Sequence, residues 1–148
     1  MHIVSWVAFS VGWLKGGHAE RFAVVVLVCD YVFTVAVDRF AGGVAGAQAV
    51  VGASGLVITA CFLWLTFRSD RWWPLAGTGC LILIVLVHLL FFLAPVSYTA
   101  AVSAQVGLWL LLYVIVLAGV AERWLAGEAA VSRIGRGRAH EAVRAGAA

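Results

Sequence analysis

The sequence contains few charged residues, and this scarcity limits the classes of protein it can belong to. Only 11% of its 148 residues are charged and 64% are hydrophobic, whereas a soluble domain carries roughly 25% charged residues. A soluble fold of this length could not bury so much apolar side chain, which excludes soluble enzymes and soluble binding modules. The composition predicts an integral membrane protein whose apolar surface faces lipid.

Cysteines, catalytic motifs and a basic stripe are also scarce or missing. The three cysteines all lie within apolar runs, so we expect reduced thiols and neither a disulfide framework nor a metal site. The sequence has no Walker, GxSxG, HExxH or dinucleotide-binding motif, which predicts no enzymatic activity. The net charge of +3 comes from helix ends and the tail, which argues against nucleic-acid binding.

Long apolar runs predict an all-α bundle of membrane helices. A helix needs about 20 residues to cross roughly 30 Å of hydrocarbon. Four runs meet or approach this length, and the helices predicted from them cover residues 20–38, 44–67, 72–94 and 97–121. The last two should form a hairpin, because Pro95 interrupts a run of about 50 residues that is too long for one crossing.

The first apolar run is shorter than the others. The run from Met1 to Leu14, from which a helix over residues 2–14 is predicted, would form about 21 Å of helix. This segment therefore either spans with local thinning of the bilayer or lies re-entrant. We favour five helices over four, meaning four full transmembrane helices plus this short membrane helix. Residues 1–126 would then form the membrane domain, and residues 127–148 a basic cytoplasmic tail.

Lysine and arginine are distributed unequally between the two predicted sides of the membrane. If successive helices alternate in direction, nine of the ten Lys and Arg residues fall on one side, and only Arg39 falls on the other. Positive residues are retained on the cytoplasmic side. We therefore predict a multi-pass protein of a bacterial inner membrane with a cytoplasmic C-terminus.

Small residues are concentrated at the start of the third predicted helix. Membrane helices associate where Gly and Ala allow their backbones to approach closely. The stripe comprises Gly42, Ala45, Gly46, Ala49 and Ala53. We interpret it as packing within the bundle and, alternatively, as a seam between copies of the chain.

Asp30 is the most distinctive polar residue within the apolar runs, because an ionisable group in hydrocarbon is costly. Counting residues from the helix ends at 1.5 Å each places Thr59 and Tyr113 at a similar depth. Their hydroxyls could therefore bond the Asp30 carboxylate. We interpret the three residues as a satisfied packing network and, alternatively, as a proton or cation site.

His88 is a second intramembrane candidate. The same counting places it near the level of Asp38 and within reach of Gln105. A hydrogen-bonded structural histidine is the simplest interpretation. A lone histidine could also ligate haem or a pigment, but a second axial ligand is hard to find, so no cofactor is expected.

Arginines and tryptophans are grouped at the predicted cytoplasmic ends of the helices. Indole rings prefer the headgroup level, and arginine binds lipid phosphates. The group that could anchor the bundle to lipid, or dock a partner, comprises Arg68, Arg71, Trp72, Trp73 and Arg123.

Three short segments carry a resemblance to other proteins. The loop from Arg68 to Pro74, the segment from Gly16 to Arg21 and the His88-Leu89-Leu90 segment resemble those of a group of uncharacterised small polytopic bacterial membrane proteins. The resemblance implies a similar membrane bundle and no activity, ligand or partner.

Two classes of function follow from these patterns. The first is a non-enzymatic accessory or scaffold subunit, or a self-assembling bundle, whose partners are membrane lipids and another membrane protein or a second copy. The alternative is a small channel or transporter that uses Asp30, His88 and Gln105. That alternative requires these three side chains to face one shared wet cavity.

Overall fold

The computed structural model describes residues 2–40, 44–94 and 97–127, and the regular structure in this part of the chain is entirely helical. The helices are α1 His2–Lys15, α2 His18–Phe40, α3 Val44–Arg68, α4 Trp72–Leu93 and α5 Tyr98–Leu125. The predicted all-α fold class with five helices is therefore confirmed. Pro95 and the tail beyond Gly127 lie outside the described residues.

Helix α5 extends four residues further at its C-terminal end than the sequence predicted. Ser97 caps its start, because the Ser97 side chain accepts a hydrogen bond of 3.3 Å from the Ala100 N–H. At the other end the helix continues through Glu122 and Arg123 to Leu125, although the apolar run from which it was predicted stops at residue 121. Gly127 then adopts a positive φ of 71°, which is typical of a helix C-terminus.

Three helices of the described chain are long and apolar enough to cross a membrane: Gly46–Arg68, Trp72–Leu93 and Tyr98–Leu125. Large apolar side chains also cover the outside of the bundle. On α4, for example, Ile82, Leu86, Leu89 and Leu93 are between 44% and 73% exposed. A surface of this kind suits lipid rather than water, so the chain is a helical membrane protein.

The five helices pack as a closed ring. Around the ring, α2 packs on α3, α3 on α4 and α4 on α5, and the contacts of α4 with α3 and α5 are the most extensive. Helix α1 packs on both α5 and α2 and thereby closes the ring. The interior holds a continuous apolar cluster that includes Phe62, Leu81 and Leu112. Polar side chains that point into this ring are thereby separated from lipid.

The two ends of the ring differ in charge. At one end, called here the basic end, α1, α3 and α5 finish and α2 and α4 begin; the other is called the far end. Three cation–π pairs lie at the basic end: Lys15 with Trp124 at 5.1 Å, Arg21 with Trp13 at 5.8 Å and Arg68 with Trp64 at 5.7 Å. The first two tie α1 to its neighbours at the level of these indole rings.

Candidate functional site

A cavity of about 310 Å³ lies inside the ring and opens toward the far end. Exposed Asp38 and Tyr98 line its mouth, and buried Leu27 and Asp30 line its deepest part. The two carboxylates are eight residues apart on α2, which corresponds to about 12 Å along the helix axis. The polar residues predicted from the sequence that line this one cavity are Asp30, Asp38, His88, Gln105 and Tyr113.

Asp30 points into the bundle and is only 8% exposed. The Ser54 hydroxyl lies 2.9 Å from Asp30 Oδ1 and 2.8 Å from the Val51 carbonyl of its own helix, so it shares its proton between them. Thr59, one of the predicted partners, donates instead to the Gly55 carbonyl at 2.7 Å. The carboxylate is therefore held by a hydroxyl of α3, but by a different one from that predicted.

The position of Ser54 follows from the connection between α2 and α3. Asp30 lies ten residues before Phe40 at the end of α2, and Ser54 lies ten residues after Val44 at the start of α3. Two antiparallel helices joined by a short connection are aligned from that connection. In the prediction from sequence, the depth of each residue was instead counted from the basic end of its helix. That count placed Thr59 at the level of Asp30 and missed Ser54.

His88 is buried with its ring beside Asp30. Its Nδ1 lies 2.9 Å from the Ile84 carbonyl oxygen, and because a carbonyl only accepts, Nδ1 carries the proton in this contact. In a neutral ring Nε2 is then the acceptor. Asp30, deep in the cavity, lies within electrostatic range of His88.

Two amides and two hydroxyls of the cavity lining form hydrogen bonds between helices. Gln105 Nε2 donates to Gln48 Oε1 at 3.5 Å, which joins α5 to α3 across the cavity. Tyr113 is hydrogen-bonded to Ser5 of α1, whereas the sequence had suggested Asp30. Gln48, Ser5 and Ser54 were visible as polar residues in apolar runs, but the sequence carried no signal for which helix face they occupy.

The cavity is closed toward the basic end. Ten residues of α2 separate Asp30 from Glu20, or about 15 Å along the axis, and the bundle between these levels is filled by buried apolar side chains such as Phe62, Leu112 and Val116. In the part of the chain that the structure describes, the arrangement is therefore a polar cavity that ends at this apolar layer.

The small-residue stripe of α3 lies on the outside of the ring. Gly46, Ala49 and Ala53 are exposed, while Gly42 and the side chain of Ala45 lie outside the described residues. Close packing on α4 uses a different face of α3, where Gly52 lies against His88 and Gly55 against Val85; a Cβ on either glycine would come within 3.3 Å of these side chains. The three described residues of the stripe, Gly46, Ala49 and Ala53, are therefore not the ones that pack against α4.

Two of the predicted surface residues at the basic end, Trp73 and Arg123, contact other residues of the bundle, and Trp73 is fully buried. Trp73 is 0% exposed and packs edge-on against Phe62, with ring centroids 6.4 Å apart. Arg123 is 14% exposed, and its Nη1 lies 3.5 Å from Glu20 Oε2. The prediction of a surface role is wrong for Trp73, because packing holds it inside. Arg123 is half-buried beside Glu20 and still lines a pocket at this end, and Arg68 and Trp72 are exposed.

The thiols occupy separate surroundings. Cys80 is buried and donates to the Leu108 carbonyl at 3.1 Å, whereas Cys29 is exposed. Within residues 2–40, 44–94 and 97–127, no three His, Cys, Asp or Glu side chains come together as metal ligands. Comparison with known proteins finds no matching family model, no matching curated protein and no matching solved structure.

Proposed function

We propose that this chain is a small membrane transporter, or the ion-binding subunit of one, that takes a proton or a small cation into the cavity at Asp30. The observation that carries the proposal is that Asp30, His88 and Gln105 line one cavity. A carboxylate within a membrane bundle is costly, and such residues mark ion and proton pathways.

The residues that line the cavity have different proposed roles, which depend on their depth. Asp38 at the mouth attracts cations, and the amide oxygens of Gln48 and Gln105 can replace part of a hydration shell. Asp30 then holds the proton or cation, while His88 can accept a proton at Nε2. Passage to the basic end requires the apolar layer below Asp30 to open, so transport would alternate between two conformations.

The proposed orientation places the basic end in the cytoplasm of a bacterium, with the protein in the inner membrane. The unequal distribution of Lys and Arg supports it. Four helices, α2 to α5, would then cross the membrane, and α1 would insert beside them. In this orientation the cavity opens to the outside, where protons and cations enter bacterial cells down their gradients.

Flux measured in proteoliposomes tests the proposal. The purified chain is reconstituted with an internal dye that reports protons, Na⁺ or K⁺, and a gradient of the matching cation is imposed. We expect flux above that of protein-free liposomes, and at least a tenfold loss in Asp30→Asn, whose amide retains an acceptor for Ser54. Thr59→Val serves as the control because Thr59 does not line the cavity.

Two results would overturn the transport proposal. One is the absence of flux for all three cations with folded protein in the liposomes. The other is an Asp30→Asn variant that conducts as well as the parent chain. A circular dichroism spectrum and a melting curve of each variant establish that the bundle has folded.

An accessory or scaffold subunit, or a self-assembling bundle, is the second candidate. The exposed stripe of Gly46, Ala49 and Ala53 favours it, because small residues let two membrane helices approach closely. Purification in mild detergent followed by mass analysis would detect a second copy or a bound partner. An absorption spectrum of the same sample tests haem or pigment binding at His88, the single histidine among the described residues that line the cavity.

A further inference from the structure

A second polar pocket, called here the basic-end pocket, has a volume of about 570 Å³. It lies between the start of α2, the connection from α3 to α4 and the end of α5. Its charged and hydroxyl side chains are Glu20, Ser69, Asp70, Arg71, Glu122 and Arg123. Both signs of charge are therefore present in one pocket.

Exposed indole rings place the basic-end pocket at the membrane surface. The side chains of Trp13, Trp64, Trp72 and Trp124 are each about half exposed or more at this end of the ring. Indole rings prefer the level of the lipid headgroups. The pocket is thus at the depth where phosphates and amines of lipids lie.

Glu20 is the most deeply buried group of this pocket, with an exposure of 0%. Its Oε2 accepts a hydrogen bond of 2.8 Å from the Gly17 N–H and faces Arg123, while its Oε1 has no hydrogen-bond partner. Glu122 Oε2 and Ser69 Oγ are also buried without a partner. Such atoms are costly, so the pocket suits a ligand that donates several hydrogen bonds.

We propose that the basic-end pocket binds the headgroup of phosphatidylethanolamine from the surrounding membrane. Its primary ammonium offers three N–H donors, the same number as the buried acceptors Glu20 Oε1, Glu122 Oε2 and Ser69 Oγ. Its phosphate would contact the guanidinium groups of Arg71 and Arg123, each of which has five N–H donors. This assignment is independent of the transport proposal.

A series of lipids with the same acyl chains tests the headgroup assignment. Native mass spectrometry of the delipidated chain measures binding of dioleoyl phosphatidylethanolamine, phosphatidylcholine and phosphatidylglycerol. We expect phosphatidylethanolamine to bind about tenfold more tightly than the other two, because the choline cation has no N–H donor and the glycerol headgroup has no cation. Equal binding of the three lipids would overturn the assignment and indicate that the carboxylates are satisfied within the protein.

Variants locate the binding to this pocket. Glu122→Gln removes one carboxylate from a half-buried position and should reduce phosphatidylethanolamine binding to the phosphatidylcholine level. Lys15→Gln is the control, because Lys15 is a charged residue at the same end that does not line the pocket, and the lipid selectivity of this variant should not change. Selectivity that survives Glu122→Gln, or soluble phosphoethanolamine that binds as tightly as the lipid, would contradict the proposed lipid site.

Discussion

Ser54 and Asp30 face each other across the α2–α3 interface, ten residues on either side of the same helix connection. Their hydrogen bond of 2.9 Å is the direct polar contact between these two helices at the floor of the cavity. It fixes one carboxylate oxygen, Oδ1, and thereby the orientation of the whole group toward His88.

Removal of the Ser54 hydroxyl should weaken the bundle and alter the cavity. We expect Ser54→Ala to reduce the unfolding free energy by about 0.6 kcal/mol and by no more than about 1.7 kcal/mol, the average and the maximum for hydrogen bonds between membrane helices. Thr59→Val should change it by less, because Thr59 bonds only its own helix. Unfolding in mixed detergent micelles measures both. Equal losses would show that the bond to Asp30 contributes nothing beyond a local contact.

Gly52 and Ala49 should respond differently to a large side chain. Gly52 lies against His88, so Gly52→Leu should overpack the α3–α4 interface and lower the melting temperature. Ala49 is exposed, so Ala49→Leu should leave the melting temperature of the single chain unchanged. Light scattering after gel filtration measures the molar mass of the parent chain and of both variants. If only Ala49→Leu loses a dimer that the parent forms, the exposed stripe is the interface between two copies.

Gly119 leaves space for the ring of Trp73. A Cβ at this position would lie 2.6 Å from Trp73 Cγ, well inside van der Waals contact. We expect Gly119→Ala to reduce the unfolding free energy by about 1–3 kcal/mol, as overpacking of a core does. Gly107→Ala is the control on the same helix, because a Cβ added at Gly107 would have nothing within 4 Å. An undisturbed Trp73 fluorescence spectrum in Gly119→Ala would contradict this packing.

Glu20 combines a helix cap with an ion pair. It accepts from the Gly17 N–H at the start of α2, in the manner of a capping box, and it pairs with Arg123. Glu20→Ala should cost about 3 kcal/mol, since it leaves a largely buried arginine without this partner. Glu20→Gln should cost less, because its amide oxygen still accepts from Gly17. Thermal melting of both variants compares them, and a larger loss in Glu20→Gln would contradict the capping role.

The orientation of the bundle can be tested with reporter fusions. A fusion at residue 148 should be active with a cytoplasmic reporter and inactive with a periplasmic one, because the basic end is expected to stay in the cytoplasm. A fusion in the connection between α4 and α5 should behave in the opposite way. A periplasmic reporter that is active at residue 148 would reverse the orientation and the direction of the proposed uptake.

The candidate site was only partly predictable. Asp30, Asp38, His88, Gln105 and Tyr113 were found because a polar residue in an apolar run is conspicuous in any single sequence. Their partners Ser54, Ser5 and Gln48 were missed, because a hydroxyl or amide in a membrane helix can bond its own backbone, face lipid or reach another helix. Only the alignment of neighbouring helices distinguishes these outcomes.

By itself the sequence determined the helical class and most of the helix ends to within two residues, and it favoured five helices over four. Hydrocarbon thickness and backbone hydrogen bonding leave a long apolar run few alternatives. Tertiary structure decided which helix faces meet. It placed Gly52 rather than Ala49 against α4, buried Trp73, paired Arg123 with Glu20 at the basic end, and gathered residues of α1 to α5 around one cavity. These outcomes depend on helix rotation and alignment, which are set by contacts between residues far apart in the chain.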